Sequence, residues 1–472
     1  MNTVSNLKEY GSANPVRIPS SIPRQKFECN SNNFNKYPQI YIHCEFANVS
    51  SANLSGYRSV LVPVHEGVVK RIVRTFFENG FRVALQEATS PETIEFNPNV
   101  AKVAQYICDA LDAVNRYKQK IFPHKRRQLG VNDIVNFTET RDWCHANIRC
   151  IAWHPNCFKI AVAGGDDSVR IYTESFAEIP VLKTHYQKSV TSIAWRPFTT
   201  SELAVGCDRG ICLWTVESNV NITRATSQAT LLQHPKSSPI TSIQWNSDGT
   251  LIAASSIGDT DILIWNMDSM QCTALKCVGP TCSFIKWSSG DAYLFAATSS
   301  NMFRVWSTEK KWTGERWNIV SGTVQSACWS PCSNFLLFIT TEEPILYELQ
   351  FYEEQVFKSG GTPTEAVPVI DLSSIVIDNR EIGGQPQALV WDPKGLYLAI
   401  MFKDTNCVAI YTTSFKTFQL RVSPLCFVSG AGYEYPTCIA FQSKNKKNSE
   451  TILNIGWSNG RIQYVPLTDD II

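Results

Sequence analysis

Gly456-Trp457-Ser458-Asn459-Gly460 reproduces the G-x-S-x-G spacing with which a hydrolase presents a nucleophilic serine, here Ser458. That chemistry needs a strained turn from a strand into a helix, leaving the hydroxyl beside free backbone N–H groups. Here TILNIGW leads in and RIQYVPL leads out, both strand-like, so Ser458-Asn459-Gly460 reads as a hairpin turn. A second constellation, His185, Thr191, Ser192, Asp208 and Trp214, offers the base, hydroxyl and carboxylate of an acyl-transfer triad. These residues fall within one unit of a repeat, where His, hydroxyl, Asp and Trp serve to satisfy buried polar groups and fix a blade. His234 holds the corresponding place one unit later. The structural role is the expectation, and no catalytic residue is assigned.

The chain has 16 cysteines but no C-x-x-C, and the closer pairs (Cys207 and Cys212, Cys272 and Cys277, Cys328 and Cys332) lack the partners a zinc site needs. Many sit in apolar runs, as Cys150, Cys328 and Cys438 do, and read as reduced core thiols. GAGYEYP at Gly430 is too short for a dinucleotide fingerprint, and there is no Walker A sequence. No metal and no cofactor is expected. With 43 Lys plus Arg against 42 Asp plus Glu, the net charge of +1 supplies no field for nucleic acid or anionic lipid. The apolar runs are strand-sized and the N-terminus has no signal-like core, so neither secretion nor a membrane span is expected. The single basic concentration runs from Lys102 to Arg127, with seven Lys or Arg against two Asp, and ends in Lys125, Arg126 and Arg127. It reads as a solvated helix face or as a patch for an acidic partner.

The elements that must position these residues repeat. A small-apolar-Trp pattern followed by a turn recurs at Trp153, Trp195, Trp245, Trp287, Trp329, Trp391 and, in degenerate form, Phe441, at intervals of 42, 50 or, once, 62 residues. Each anchor is followed 18 to 23 residues later by a second aromatic: Tyr172, Trp214, Trp265, Trp306, Tyr347, Tyr411 and Tyr464. Between the two lie an apolar strand and a polar hairpin turn, as in LAVGCDRGICLW. Each unit supplies three antiparallel strands and a fourth in its connection, so seven units predict an all-β protein, a seven-bladed WD-repeat β-propeller over residues 148–472. The longest interval holds KSGGTPTEAVP, Lys358 to Pro368, which reads as an exposed loop for partner contact or as a tolerated insertion.

Closure demands a further strand for the last blade, because the chain runs only eight residues past Tyr464. Two segments qualify, Gln39 to Phe46 and Arg58 to Val64, and the second is preferred. Residues 1–38, rich in Asn, Ser and Pro, read as irregular. Residues 39–147 are expected to hold the closing strand and a small α-helical region packed on the propeller. One helix carries Val69, Ile72, Val73, Phe76 and Phe77 on one stripe; a second starts at Asn97-Pro98 and buries Val103, Ile107, Leu111, Val114 and Ile121; a short third lies near Asp133 to Asp142.

The stretches IRCIAWHPNCFKIAVAGGDDSVRIY, MFRVWSTEKKWTGERWNIVSGTVQSACWSPCSNFLLF, DLSSIVIDNREIGGQPQALVWDP and IGWSNGRIQYVPL resemble the aladin family of WD-repeat nucleoporins, from roughly Val60 to Leu467. The first 38 residues diverge, and nothing is carried over there. The resemblance implies a non-enzymatic scaffold of the nuclear pore complex at the nuclear envelope. Its partners would be other pore proteins, including a transmembrane nucleoporin, so that membrane association is indirect. It further implies a role in nuclear protein import and an association with the mitotic spindle, with no small-molecule substrate and no direct nucleic acid. The alternative from architecture alone is a WD-repeat adaptor in a trafficking or ubiquitin-ligase complex.

Overall fold

A computed structural model of the chain describes residues 2–10, 37–42, 97–121, 131–173, 179–216, 229–234, 238–351, 365–377, 380–416, 419–443 and 451–467, with isolated positions between 69 and 89. Two compact units emerge: Met1–Ala47 with Leu129–Ile472, and Asn48–Gln128.

The first unit is a seven-bladed β-propeller. Blades 1 to 6 are sheets whose core is four strands in sequence order, a to d from the inside outwards, and blade 7 has three. Their inner strands are Ile148–Trp153, Ser192–Trp195, Ile240–Trp245, Cys282–Trp287, Val324–Trp329, Pro386–Trp391 and Pro436–Phe441. Each therefore ends on the aromatic that marked its repeat. Strand b is the most apolar; Tyr397–Phe402 in blade 6 is buried at every position. A sheet buried on both faces reads as a continuous apolar run, which is why these strands show no alternation.

Seven hydrophobic clusters each fill the gap between one pair of neighbouring blades. The cluster between blades 7 and 1 joins Cys438, Ile452 and Ile462 to Ile148, Trp153 and Tyr172, so the ring is closed. Closure leaves no open sheet face, and burial is shared all round.

Strand a carries a repeated irregularity. Its pairing with strand b shifts register at Ile148/Cys150, Ile240/Ser242, Cys282/Ile285, Val324/Ser326, Pro386/Ala388 and Pro436/Cys438. Such a bulge twists the strand and re-aims the extra side chain. Here it turns Arg149, Gln325 and Gln387 towards one end of the central channel.

The N-terminus corrects one expectation. Residues 1–38 were expected to be irregular, yet Asn2–Thr3 pairs in parallel with Val367–Asp371, strand d of blade 5, and Lys8–Glu9 with Gln419–Ser429, strand d of blade 6. Val4 and Leu7 between them are buried. Outer strands have unpaired backbone groups that a nearby chain can satisfy, and two apolar residues three apart suffice to seat it. Blade 7 is met by the segment beginning at Gln39; the preferred Arg58–Val64 lies outside the described residues. Tyr41 bridges Arg461, the Ile42 N–H donates to the Gly460 carbonyl at 2.8 Å, and the Ile462 N–H donates to the Ile40 carbonyl at 3.1 Å. Tyr37, Ile40 and Ile42 supply buried apolar groups to the blade 7–1 cluster. A Cβ at Gly460, whose φ is +90°, would stand 1.7 Å from the Ile42 carbonyl oxygen, so this crossing requires glycine there.

In the second unit, Pro98–Ile121 is an α-helix that starts where expected, the Asn97 side chain accepting from the Asn99 N–H at 3.2 Å. Its inward face differs from the expected one. Ala101 and Ala104 are buried and Ile107 is half-buried, whereas Val103 is exposed, as are Val100 and Tyr106. Small residues at i and i+3 allow close approach on that face, and Val103 is turned about 100° from Ala104. Side chains at 111–121 lie outside the described residues. Val69, Ile72 and Val73 are helical, but Val69 and Val73 are exposed and Phe76 and Phe77 are not among the described residues. The third helix is a 3-10 helix, Val131–Asn136, belonging to the propeller unit. Among the described residues no helix is long and apolar enough to cross a membrane.

Candidate functional site

The residues that looked catalytic are structural neighbours of hairpins. Ser458 follows strand b of blade 7, Thr451–Trp457, and precedes strand c, Ile462–Leu467. Its N–H donates to the Tyr435 carbonyl at 2.9 Å and its hydroxyl accepts from the Tyr435 N–H at 3.2 Å. A strand-to-strand turn with both polar groups engaged differs from a nucleophile elbow. In blade 2 the expected His-hydroxyl-Asp-Trp network is replaced. The Trp214 indole N–H donates to Gln187 Oε1 at 2.8 Å, and Gln187 Nε2 donates to the carbonyls of Asp167 and Leu182. His185 instead packs at a tilt against Tyr186 at the surface, Thr191 Oγ1 donates to the Ile240 carbonyl in blade 3, and burial raises the pKa of the Asp208 carboxyl. Gln187, buried, reaches both blade 1 and Trp214 with one amide; no WD template marks a glutamine, so sequence patterns passed it over.

The anchor aromatics lie inside the propeller. Trp153, Trp195, Trp245, Trp287, Trp329, Trp391 and Phe441 are buried, as are Tyr172, Trp214, Trp265, Trp306 and Tyr411, while Tyr347 and Tyr464 are half-buried. Several reach back one blade. The indole N–H groups of Trp195, Trp245 and Trp329 donate to the carbonyls of Ala152, Ala194 and Lys286, in each case the residue just before the preceding blade's tryptophan. Two adjacent motif positions thus provide the donor and the acceptor of inter-blade bonds. Turns after strand a continue it: Arg196 Nε donates to the Gly249 carbonyl at 2.7 Å, and the Ser247 N–H to Asp291 at 2.9 Å. His154 accepts two backbone N–H groups at Nδ1, from Asn156 and Cys157, so Nε2 carries the proton given to the Thr199 carbonyl at 2.6 Å. Burial also holds this imidazole below its ordinary pKa, favouring the neutral ring.

The site that sequence reasoning missed is a plug. Residues 131–146, just before blade 1, close one end of the central channel. Ile134 and Trp143 are buried with Ile257 of blade 3. Gln325 and Gln387 both donate to the Thr138 carbonyl, at 2.9 and 2.8 Å. The Glu139 carboxylate accepts from Ser326 at 2.6 Å and pairs with Lys286 at 3.0 Å. Thr140 Oγ1 donates to the Arg149 carbonyl at 2.6 Å; Arg149 lies over the Trp143 ring at 4.2 Å and pairs with Asp167 at 2.6 Å. The Arg141 N–H donates to the Thr437 carbonyl, and its guanidinium to the Phe402 and Thr405 carbonyls. Six of the seven blades therefore hold one short segment. The channel beyond is a cavity of about 540 Å³, floored by Phe137 to Thr140, with Pro155, Pro197 and Pro393 at its other end.

Exposed apolar side chains stand on loops that enter strand a. Val278, Val320 and Tyr433 are 87%, 100% and 98% exposed, and Val135 of the plug is exposed. Lys125, Arg126 and Arg127 lie outside the described residues, as does most of the Lys358 to Pro368 loop. Among the described residues no group of His, Cys, Asp or Glu is arranged to hold a metal ion.

The family model described as the Aladin seven-bladed propeller matches residues 130–468, well over half the chain and starting at the plug. The chain belongs to the Aladin propeller family. Aladin of Arabidopsis thaliana is 25% identical over 370 residues, spanning 71% of this chain and 79% of its own length. Among solved structures, the β-propeller domain of Myceliophteria thermophila Cps50 (Swd1) matches with a TM-score of 0.50 at 14% identity, covering 69% of this chain and 97% of that one. That likeness concerns the fold alone. Membership in the Aladin family makes the propeller a scaffold-type domain, nucleoporin-like at the family level.

Proposed function

We propose that this protein is a non-enzymatic scaffold of the nuclear pore complex, held at the nuclear envelope by pore proteins that include a transmembrane nucleoporin. Through that residence it supports import of proteins into the nucleus, and in mitosis it works at the spindle. The observation that carries the reading is the Aladin propeller match across residues 130–468. The architecture agrees with it: inter-blade hydrogen bonds and a plug gripped by six blades make a stiff ring whose loops present apolar groups such as Tyr433 and Val320. Rigid presentation lowers the ordering cost of binding. Lys125, Arg126 and Arg127 meet an acidic partner.

Proximity labelling from a biotin ligase fused to the C-terminus tests the proposal. Pore scaffold proteins and a multi-pass membrane protein of the pore should dominate the labelled set. Vesicle-coat or ubiquitin-ligase subunits in their place would favour the general adaptor reading.

A further inference from the structure

The N-terminal segment occupies its place as a ligand occupies a site. Residues 2–10 lie along the outer edges of two blades, adding a short parallel strand to each: Asn2 and Thr3 opposite Ile370 and Asp371, Lys8 and Glu9 opposite Cys426 and Phe427. A 3-10 turn, Val4–Asn6, joins the two, closed by the Leu7 N–H donating to the Val4 carbonyl at 3.1 Å. Val4 and Leu7, 1% and 4% exposed, enter the cluster between blades 5 and 6. Glu9 pairs with Arg380, which also donates to Ser429 Oγ at 2.9 Å. The Tyr10 N–H donates to the Phe427 carbonyl at 2.8 Å, and the Tyr10 hydroxyl donates to the Pro466 carbonyl in blade 7.

These are the features of peptide recognition by strand addition: backbone pairing for affinity, pockets for alternate side chains for specificity. None depends on the segment being covalently joined to the propeller. We propose that the outer edge of blades 5 and 6 is a peptide-docking site for an apolar-x-x-apolar-x-acidic-aromatic segment, filled in this chain by its own Val4, Leu7, Glu9 and Tyr10. The site accepts such a segment in trans whenever its own is displaced. The inference is independent of residence at the pore.

A fluorescent peptide of residues 1–12 is titrated against the full chain and against the full chain carrying Val4→Asp and Leu7→Asp, which empties the site. The peptide should bind the doubly substituted chain saturably and the unaltered chain not at all, because the latter's own segment competes. The same two substitutions in the peptide should abolish binding. Arg380→Glu in the doubly substituted chain should weaken it about two- to fivefold, the range of an exposed ion pair. A folded V4D/L7D chain that ignores the peptide, or equal uptake by the unaltered chain, overturns the proposal. Should the substituted chain fail to fold, a protease site inserted between residues 12 and 36 allows the link to be cut in the folded protein. Retention of the cut segment, or its replacement by labelled peptide, supports the site; loss without replacement overturns it.

Discussion

Six of the seven inner strands end on a tryptophan packed between blades, and Trp195, Trp245 and Trp329 also tie their indoles to the blade before. Removing one leaves a void and an orphaned carbonyl together. Trp195→Ala is expected to cost about 3–5 kcal/mol in chemical denaturation, and Trp195→Phe less, since it loses mainly the bond to Ala152. His154 gives the turn network a pH dependence. Its pKa in the folded protein lies below the ordinary 6.5 because burial disfavours the cation. The unfolded chain therefore binds the proton more readily, and the stability due to the neutral ring is fully present above pH 6.5 and lost as pH falls towards the folded value. Thermal melting should show a decline as pH falls below about 6.5 that flattens in His154→Gln. At this scale the sequence was only half legible. Trp and Tyr spacing marked the anchors because large aromatics recur at a fixed period where a repeated core must be filled, but Gln187 takes the bond to Trp214 expected of His185, and such a bond can be made by either residue type.

Elements carry the next level of the account, and the plug is the clearest case. Most of its bonds end on backbone carbonyls, such as those of Thr138, Phe402, Thr405 and Thr437, which every residue possesses. Nothing in the residue types of 137–146 announces it, whereas the bulges that aim Gln325 and Gln387 are invisible without register. Arg141→Ala removes the guanidinium bonds to blade 6 and the stacking on Tyr435 at 4.5 Å. Hydrogen exchange should then speed up in residues 131–146 while strand b of every blade stays protected; equal loosening of blade cores would mean the plug is part of the global fold. The helix Pro98–Ile121 shows the opposite limit. Its start was readable from Asn97-Pro98, but its inward face was misplaced onto Val103, because alanines on a close-packed face carry a weaker hydrophobic signal than the valine beside them.

For the whole molecule, seven repeats implied a ring and the ring implied closure, which is why fold class was readable from period alone. How closure is achieved was not, since Tyr37, Ile40 and Ile42 make a pattern no stronger than that of Arg58 to Val64. The answer changes how the protein should be handled. Residues 2–10 and 37–42 dock on blades 5, 6 and 7, and 131–146 plug the channel, so a truncated chain must keep them to keep the propeller unit whole. Charge reversal at Lys125, Arg126 and Arg127 should leave the melting temperature unchanged while weakening partner recovery; a sharp fall in melting temperature would place these residues in a packed region.

Live imaging of the full chain with a fluorescent tag on its C-terminus, leaving the docked N-terminus free, bears most directly on the scaffold reading. A punctate nuclear rim coincident with pore markers is predicted. A diffuse or vesicular signal from protein that is folded and full length would contradict it.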